Sequence, residues 1–186
     1  METKVYAPTY AKNRMTPLPF LILSIVLVIA SASDLLFHKI PNWLTYPAMI
    51  VGVLYGTHLK GLGGSLYSIL GISIGMTVLI IPFLAGGMGA GDVKLMGAVG
   101  GFLGPRGVWI AFLFTAWIGG IYALVLLASK GQLRRTGERY LALLRSLISI
   151  QGFSRSPSSN RWETPRLRYG LAIALGAFIS ILLGME

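Results

Sequence analysis

The sequence contains two aspartates, Asp34 and Asp92, and both stand at the edges of apolar runs. Asp34 lies near the end of the stretch 18–37. Asp92 closes the glycine-rich run Gly86-Gly87-Met88-Gly89-Ala90-Gly91-Asp92, with apolar segments on either side. An ionisable residue in a bilayer core costs roughly 2.5–3.5 kcal/mol on insertion scales, so such residues usually serve a function. Two carboxyls held close do not both ionise cheaply, and they share a proton. One member can then take a proton from water while the other donates to a peptide carbonyl. The aspartates are 58 residues apart, so the chemistry requires a fold that unites them. Glu2 and Glu186 stand at the two ends of the sequence, and Glu138 and Glu163 lie in a polar stretch, which makes them poorer candidates.

The glycines around Asp92 carry a second expectation. Gly87, Gly89 and Gly91 can adopt backbone torsions closed to other residues, and they would let an extended substrate backbone approach closely. Gly71 with Gly75, Gly97 with Gly101, and Gly100 with Gly104 have the GxxxG spacing that serves helix packing. A phosphate-cradle reading of the glycine run fails. No Lys-Ser or Lys-Thr follows the last glycine, and an aspartate there would repel phosphate.

The elements that must position this pair are read from the apolar runs. Hydrophobic residues make up 54% of the chain and charged residues 12%, with mean hydropathy +0.71. Soluble domains carry about 25% charged residues, so this composition is that of an all-α membrane protein embedded in the lipid bilayer. Six transmembrane helices are expected, at 18–37, 43–59, 65–84, 93–103 (short), 108–128 and 169–184. Residues 1–17 form a polar tail, and 129–168 form a long basic connection. The run 140–150 inside it is too short to span and reads as an interfacial helix. Pro41 can open the second helix, while Asn42 reads as a cap or a turn residue. His38 and Lys39 read as interfacial positive charge, and His58 as structural on the opposite side.

The net charge is +10. With six spans, 11 of the 16 Lys and Arg residues fall on one side, including Lys39, Lys94 and the 129–168 connection. The positive-inside rule makes that side cytoplasmic, and both aspartates face it. The basic residues cluster in one inter-span connection, and no aromatic-interleaved basic patch there resembles a nucleic-acid binding surface, so no nucleic-acid partner is expected. Cysteine is absent, which excludes disulfides and a thiol nucleophile. Lys12, Arg14 and Ala30-Ser31-Ala32 imitate a signal peptide, but the apolar run continues through Phe37, longer than a signal core.

Two boxes in this sequence resemble the type IV prepilin peptidase family. Gly89-Ala90-Gly91-Asp92 is a GxGD motif followed by Val93-Lys94-Leu95-Met96, and the stretch from Asp34 to Thr45 is similar to that family's first-aspartate box. The resemblance covers roughly 18–128 and makes that stretch a transmembrane peptidase core, with 169–186 as the last helix. It implies an aspartic endopeptidase of a bacterial inner membrane. Such an enzyme cleaves the short basic leader from prepilins and pseudopilins at the cytoplasmic face, without a cofactor or metal. By the same resemblance Asp34 and Asp92 are catalytic, and Gly89, Gly91, Lys94, Pro41 and Asn42 belong to the motif and substrate approach. Longer family members carry a cytoplasmic domain with paired cysteines tied to N-methylation. Its absence here resembles the short form of the tight-adherence (Flp) type and counts against methyltransferase activity.

Other functions remain open to the same residues. Intramembrane carboxylates also mark proton-coupled transporters, although no matched pair of interrupted helices is evident. A non-catalytic assembly subunit could use the aspartates for helix pairing, and the two aspartates could instead ligate a metal. Lys94 could bias the pair, hold a substrate carboxylate, or simply reach the interface.

Overall fold

The computed structural model describes residues 18–84, 87–129 and 169–183. The tail 1–17 and the connection with its expected helix at 140–150 lie outside the described residues. Four helices occur among those described: α1 (Leu18–Phe37), α2 (Asn42–Leu84), α3 (Ala90–Ser129) and α4 (Tyr169–Leu182). Three are long and apolar enough to cross a membrane, namely Leu18–Phe37, Asn42–Leu84 and Ala90–Leu126. The fourth has 14 residues, about 21 Å at 1.5 Å per residue. The chain is an all-helical membrane protein over these residues.

The count differs from the six separate spans expected, and the reason is local. A straight helix of 43 residues would run about 65 Å, twice a bilayer core. Both long helices instead break and fold back. In α2 the break is at Lys60 (φ −133°, ψ 17°) and Gly61 (φ 59°, ψ −142°). Ser68 Oγ donates to the Gly52 carbonyl at 3.3 Å, although residues so spaced would stand about 24 Å apart on a straight helix. In α3 the break is at Gly104 (φ 69°, ψ −173°). Pro105 follows, lacks an N–H and so readily opens a new helical run. A Cβ at Gly75 would come within 2.9 Å of the Met96 carbonyl carbon and 3.0 Å of Val108 Cγ2. Segments before and after Gly104 therefore face the same glycine. Helical backbone continues so closely on either side of each break that the expected loops at 60–64 and 104–107 shrink to one or two residues.

Small residues form the contact between α2 and α3, while large apolar residues pack around it and cover the outside. A Cβ at Gly71 would fall onto the Gly100 carbonyl, and one at Gly52 would lie 2.8 Å from the Gly101 carbonyl carbon. The glycines let the α2 and α3 backbones touch, as GxxxG spacing does elsewhere. Around this contact Leu23, Leu27, Leu95, Met96, Val99, Leu103, Val108 and Ile173 are buried. Buried hydroxyls are all bonded to carbonyls: Thr115 to Ala111 at 2.7 Å, Ser180 to Gly107 at 3.0 Å. Leu21, Ile25, Val28, Leu54, Leu66, Ile81 and Trp117 point outward. Such a surface is stable in lipid, where outward leucine costs nothing.

The turn after α1 is tightly specified. His38 sits at φ 56°, and its N–H donates to the Asp34 carbonyl at 3.1 Å. This is the left-handed cap that ends helices, usually built with glycine. Ser33 Oγ donates to the Lys39 carbonyl at 2.8 Å. The Pro41 carbonyl then accepts from Leu44 and Thr45 N–H groups at 3.2 and 3.4 Å, which starts α2.

Candidate active site

Asp34 projects from the last turn of α1 and is buried, 7% exposed. Its Oδ2 accepts the Gly170 N–H at 3.0 Å. Gly170 is the second residue of α4, and N–H groups in a first helical turn have no partner within their own helix. One turn before Asp34, Ser31 Oγ donates to the Leu27 carbonyl at 2.8 Å and approaches the Gly170 carbonyl at 3.4 Å.

Asp92 lies in the first turn of α3, 5% exposed. The helix starts at Ala90, earlier than the residue 93 expected, so Asp92 belongs to the helix and not to the loop before it. Its N–H donates to the Gly89 carbonyl at 3.1 Å. Its Oδ2 accepts the Gly89 N–H at 2.9 Å. The side chain thus closes the helix start as the acidic residue of a capping box does. Its Oδ1 is buried and has no hydrogen-bond partner among the described residues. The end of α1 and the start of α3, which carry the two carboxyls, are neighbours through Ile40 and Gly91.

Ile40 connects the two boxes. A Cβ at Gly91 would come within 2.9 Å of Ile40 Cβ, so the turn after α1 presses on the start of α3. The expected torsional role of the glycines is corrected by this. Among the described residues only Gly61 and Gly104 have positive-φ glycine backbone. Gly87, Gly89 and Gly91 adopt none of the barred torsions, and Gly91 is instead needed for close approach. Gly89 is exposed, with Asp92 Oδ2 as the nearest neighbour of a built Cβ at 3.5 Å.

Lys94 Nζ donates to Asn42 Oδ1 at 2.8 Å and lies 4.9 Å from the centre of the Tyr46 ring. Asn42 was expected to cap α2 or bond within its turn. Its side chain instead ties α2 to α3 through Lys94, and the Pro41 carbonyl opens the helix. His58 lies sixteen residues along α2 from Asn42, beside the Lys60–Gly61 break, about 24 Å from the helix start.

Sequence reasoning missed Ile40, Ser31 and Gly170. A glycine 136 residues from Asp34 carries no local mark of the contact, because the contact exists only once α4 is placed.

A model of the type IV leader peptidase family matches residues 21–124, more than half of the chain. The chain belongs to that family. Both aspartates, Gly89, Gly91, Lys94, Pro41 and Asn42 fall inside the matched stretch, whereas Gly170 falls outside it. A prepilin leader peptidase/N-methyltransferase of Xanthomonas campestris pv. campestris is 31% identical over 128 residues, covering 62% of this chain and 42% of that protein. This leader peptidase family chain thus spans less than half the length of the curated relative. No solved structure matches significantly.

Proposed function

We propose that this chain is a membrane-embedded aspartic endopeptidase that removes the short basic leader of Flp-like type IV prepilins and pseudopilins at the cytoplasmic face. The observation that carries the reading is the pair of buried carboxyls, Asp34 and Asp92, on two helix ends that touch through Ile40 and Gly91 within the family-matched stretch. One carboxylate takes a proton from water as the oxygen attacks the scissile carbonyl carbon. The other, protonated, donates to the carbonyl oxygen. Collapse of the tetrahedral species breaks the C–N bond, and the leaving nitrogen takes up a proton from the pair. No residue becomes covalently attached to the substrate.

In this reading α2 and α3 each cross the bilayer twice, so α1, the reversed pairs and α4 make six crossings. The excess of Lys and Arg on the aspartate side makes that side cytoplasmic, and a multi-pass protein of the bacterial inner membrane follows. Only four residues separate α1 from α2 and the sequence has no cysteine, so this stretch does not carry the cysteine-bearing domain of longer members between these helices. Leader cleavage without N-methylation is the expected activity.

The test is co-expression with a Flp-like prepilin, read as a mobility shift of the substrate. Asp34→Asn and Asp92→Asn should each abolish the shift while membrane insertion is retained. Cleavage that persists in either variant would refute the assignment. Loss of proton-coupled uptake in the same variants, with no cleavage by the wild type, would establish transport instead.

A further inference from the structure

The last helix lies outside the family match, which ends at residue 124, yet its first turn reaches the site. Gly170 donates its N–H to Asp34 Oδ2 at 3.0 Å. A Cβ built at this glycine would stand 3.0 Å from both Asp34 Cβ and Asp34 Oδ2, inside the roughly 3.5–4.0 Å of ordinary carbon contact. Ser31 Oγ approaches the carbonyl of the same residue at 3.4 Å. One face of α1 therefore meets both polar groups of residue 170. Glycine is not required there by torsion, because Gly170 does not have positive φ. What the absent side chain provides is room for Asp34.

We infer that Gly170 is a positioning residue for Asp34: its N–H fixes one carboxyl oxygen, and its missing side chain lets the carboxyl keep that orientation. The inference rests on the reading of Asp34 as catalytic. A carboxyl that exchanges a proton with water must lie within hydrogen-bond reach of it. A methyl at 170 would crowd Asp34 Cβ as well as the mobile oxygen by a few tenths of an ångström, so turning the carboxyl alone does not relieve it. Asp34, or the α1–α4 spacing, must give by that amount, and the carboxyl moves with it. The site then extends beyond the 18–128 core, and α4 is a working part of it.

Gly176 supplies the comparison within the same helix. A Cβ there would press on Thr115 and on the Ala111 carbonyl, away from Asp34. The experiment uses the full chain in lipid bilayers, with kcat and KM measured per folded molecule on a prepilin substrate. Infrared difference spectra identify the Asp34 carboxyl as the band that Asp34→Asn removes. Gly170→Ala should lower kcat by about 10²-fold and leave KM within about threefold, the signature of a misplaced reacting group. It should also move the Asp34 band. Gly176→Ala should reduce the yield of folded protein and leave both the band and kcat per folded molecule unchanged. If Gly170→Ala does not fold, Ser31→Ala replaces it, with a smaller band shift expected in a protein of nearly unchanged volume. An unmoved band in Gly170→Ala, or in Ser31→Ala where that variant replaces it, overturns the inference, as does a Gly176→Ala variant that moves the band equally. A dead Asp34→Asn beside a Gly170→Ala with unaltered kcat overturns this inference alone. An Asp34→Asn variant that still cleaves overturns the catalytic reading and takes the inference with it.

Discussion

The two aspartates are held by different devices that use the same physics, a backbone N–H from a helix start. Asp92 takes its donor from Gly89, at the start of its own helix, and Asp34 takes one from α4. Each carboxyl keeps one oxygen engaged, which orients the other. A pair sharing one proton works with a single carboxyl ionised, so the rate of leader cleavage should fall at both low and high pH. A flat profile from about pH 4 to about pH 9 rules the shared proton out. Gly91 offers a steric test of how the pair is brought together. Gly91→Ala should push Ile40 from the start of α3 and destabilise the fold by about 1–3 kcal/mol, the usual range for overpacking. Ile40→Gly in the same chain removes the struck Cβ and should restore part of the lost cleavage. Loss that is no smaller in the double variant than in Gly91→Ala means that the Ile40 contact does not set the spacing. The aspartates were legible in the sequence because ionisable residues are rare and costly among apolar ones. Ile40 was not, since an isoleucine beside a proline is ordinary in any turn.

At the scale of elements, the breaks decide the architecture. Both Gly61 and Gly104 combine positive φ with a strongly extended ψ, a region close to glycine-only, where other residues cost about 1–3 kcal/mol. The surroundings separate them. A Cβ at Gly61 meets nothing within 4 Å, whereas one at Gly104 would strike the Tyr67 ring. Gly104→Ala should therefore destabilise the protein more than Gly61→Ala, by about 1–3 kcal/mol for the added overpacking. Denaturant titration of the two variants in one detergent measures the difference, and equal midpoints count against it. The apolar run gave α1 its bounds, Leu18–Phe37, because its few polar residues, Ser24, Ser31, Ser33 and Asp34, are too sparse to break it. The start of α3 was placed late for the opposite reason. Gly89-Ala90-Gly91 has poor helix propensity, and tertiary contact with Ile40 together with the Asp92 cap overrides it. The 60–64 and 104–107 stretches read as loops, because glycine and proline mark turns without saying how short the turn is.

The whole molecule is organised as a glycine-lined interior within a leucine-rich surface, and that inversion fixes how it can sit in a bilayer. The end of α1, with Asp34, touches the start of α3, with Asp92, through Ile40 and Gly91, and the start of α4 bonds to Asp34. The α2 break at Lys60–Gly61 falls at the far end of its first limb. A limb of 18 residues, 42–59, spans about 27 Å, close to one hydrocarbon core. If α2 crosses and returns, the break lies on the side opposite the aspartates. The chain has no cysteine, so a single introduced thiol reports its position without background. Lys39 is exposed in the turn beside Asp34, and Leu62 is 82% exposed just past the break. In intact cells made permeable only at the outer membrane, an impermeant maleimide should label Leu62→Cys and spare Lys39→Cys. Disrupting the inner membrane should then expose Lys39→Cys. Labelling of both in intact cells would show that α2 does not cross between them, and the reverse pattern would place the aspartates on the periplasmic side. In that second case a cytoplasmic leader could not reach the carboxyls, so the labelling tests the folded topology and the proposed substrate together.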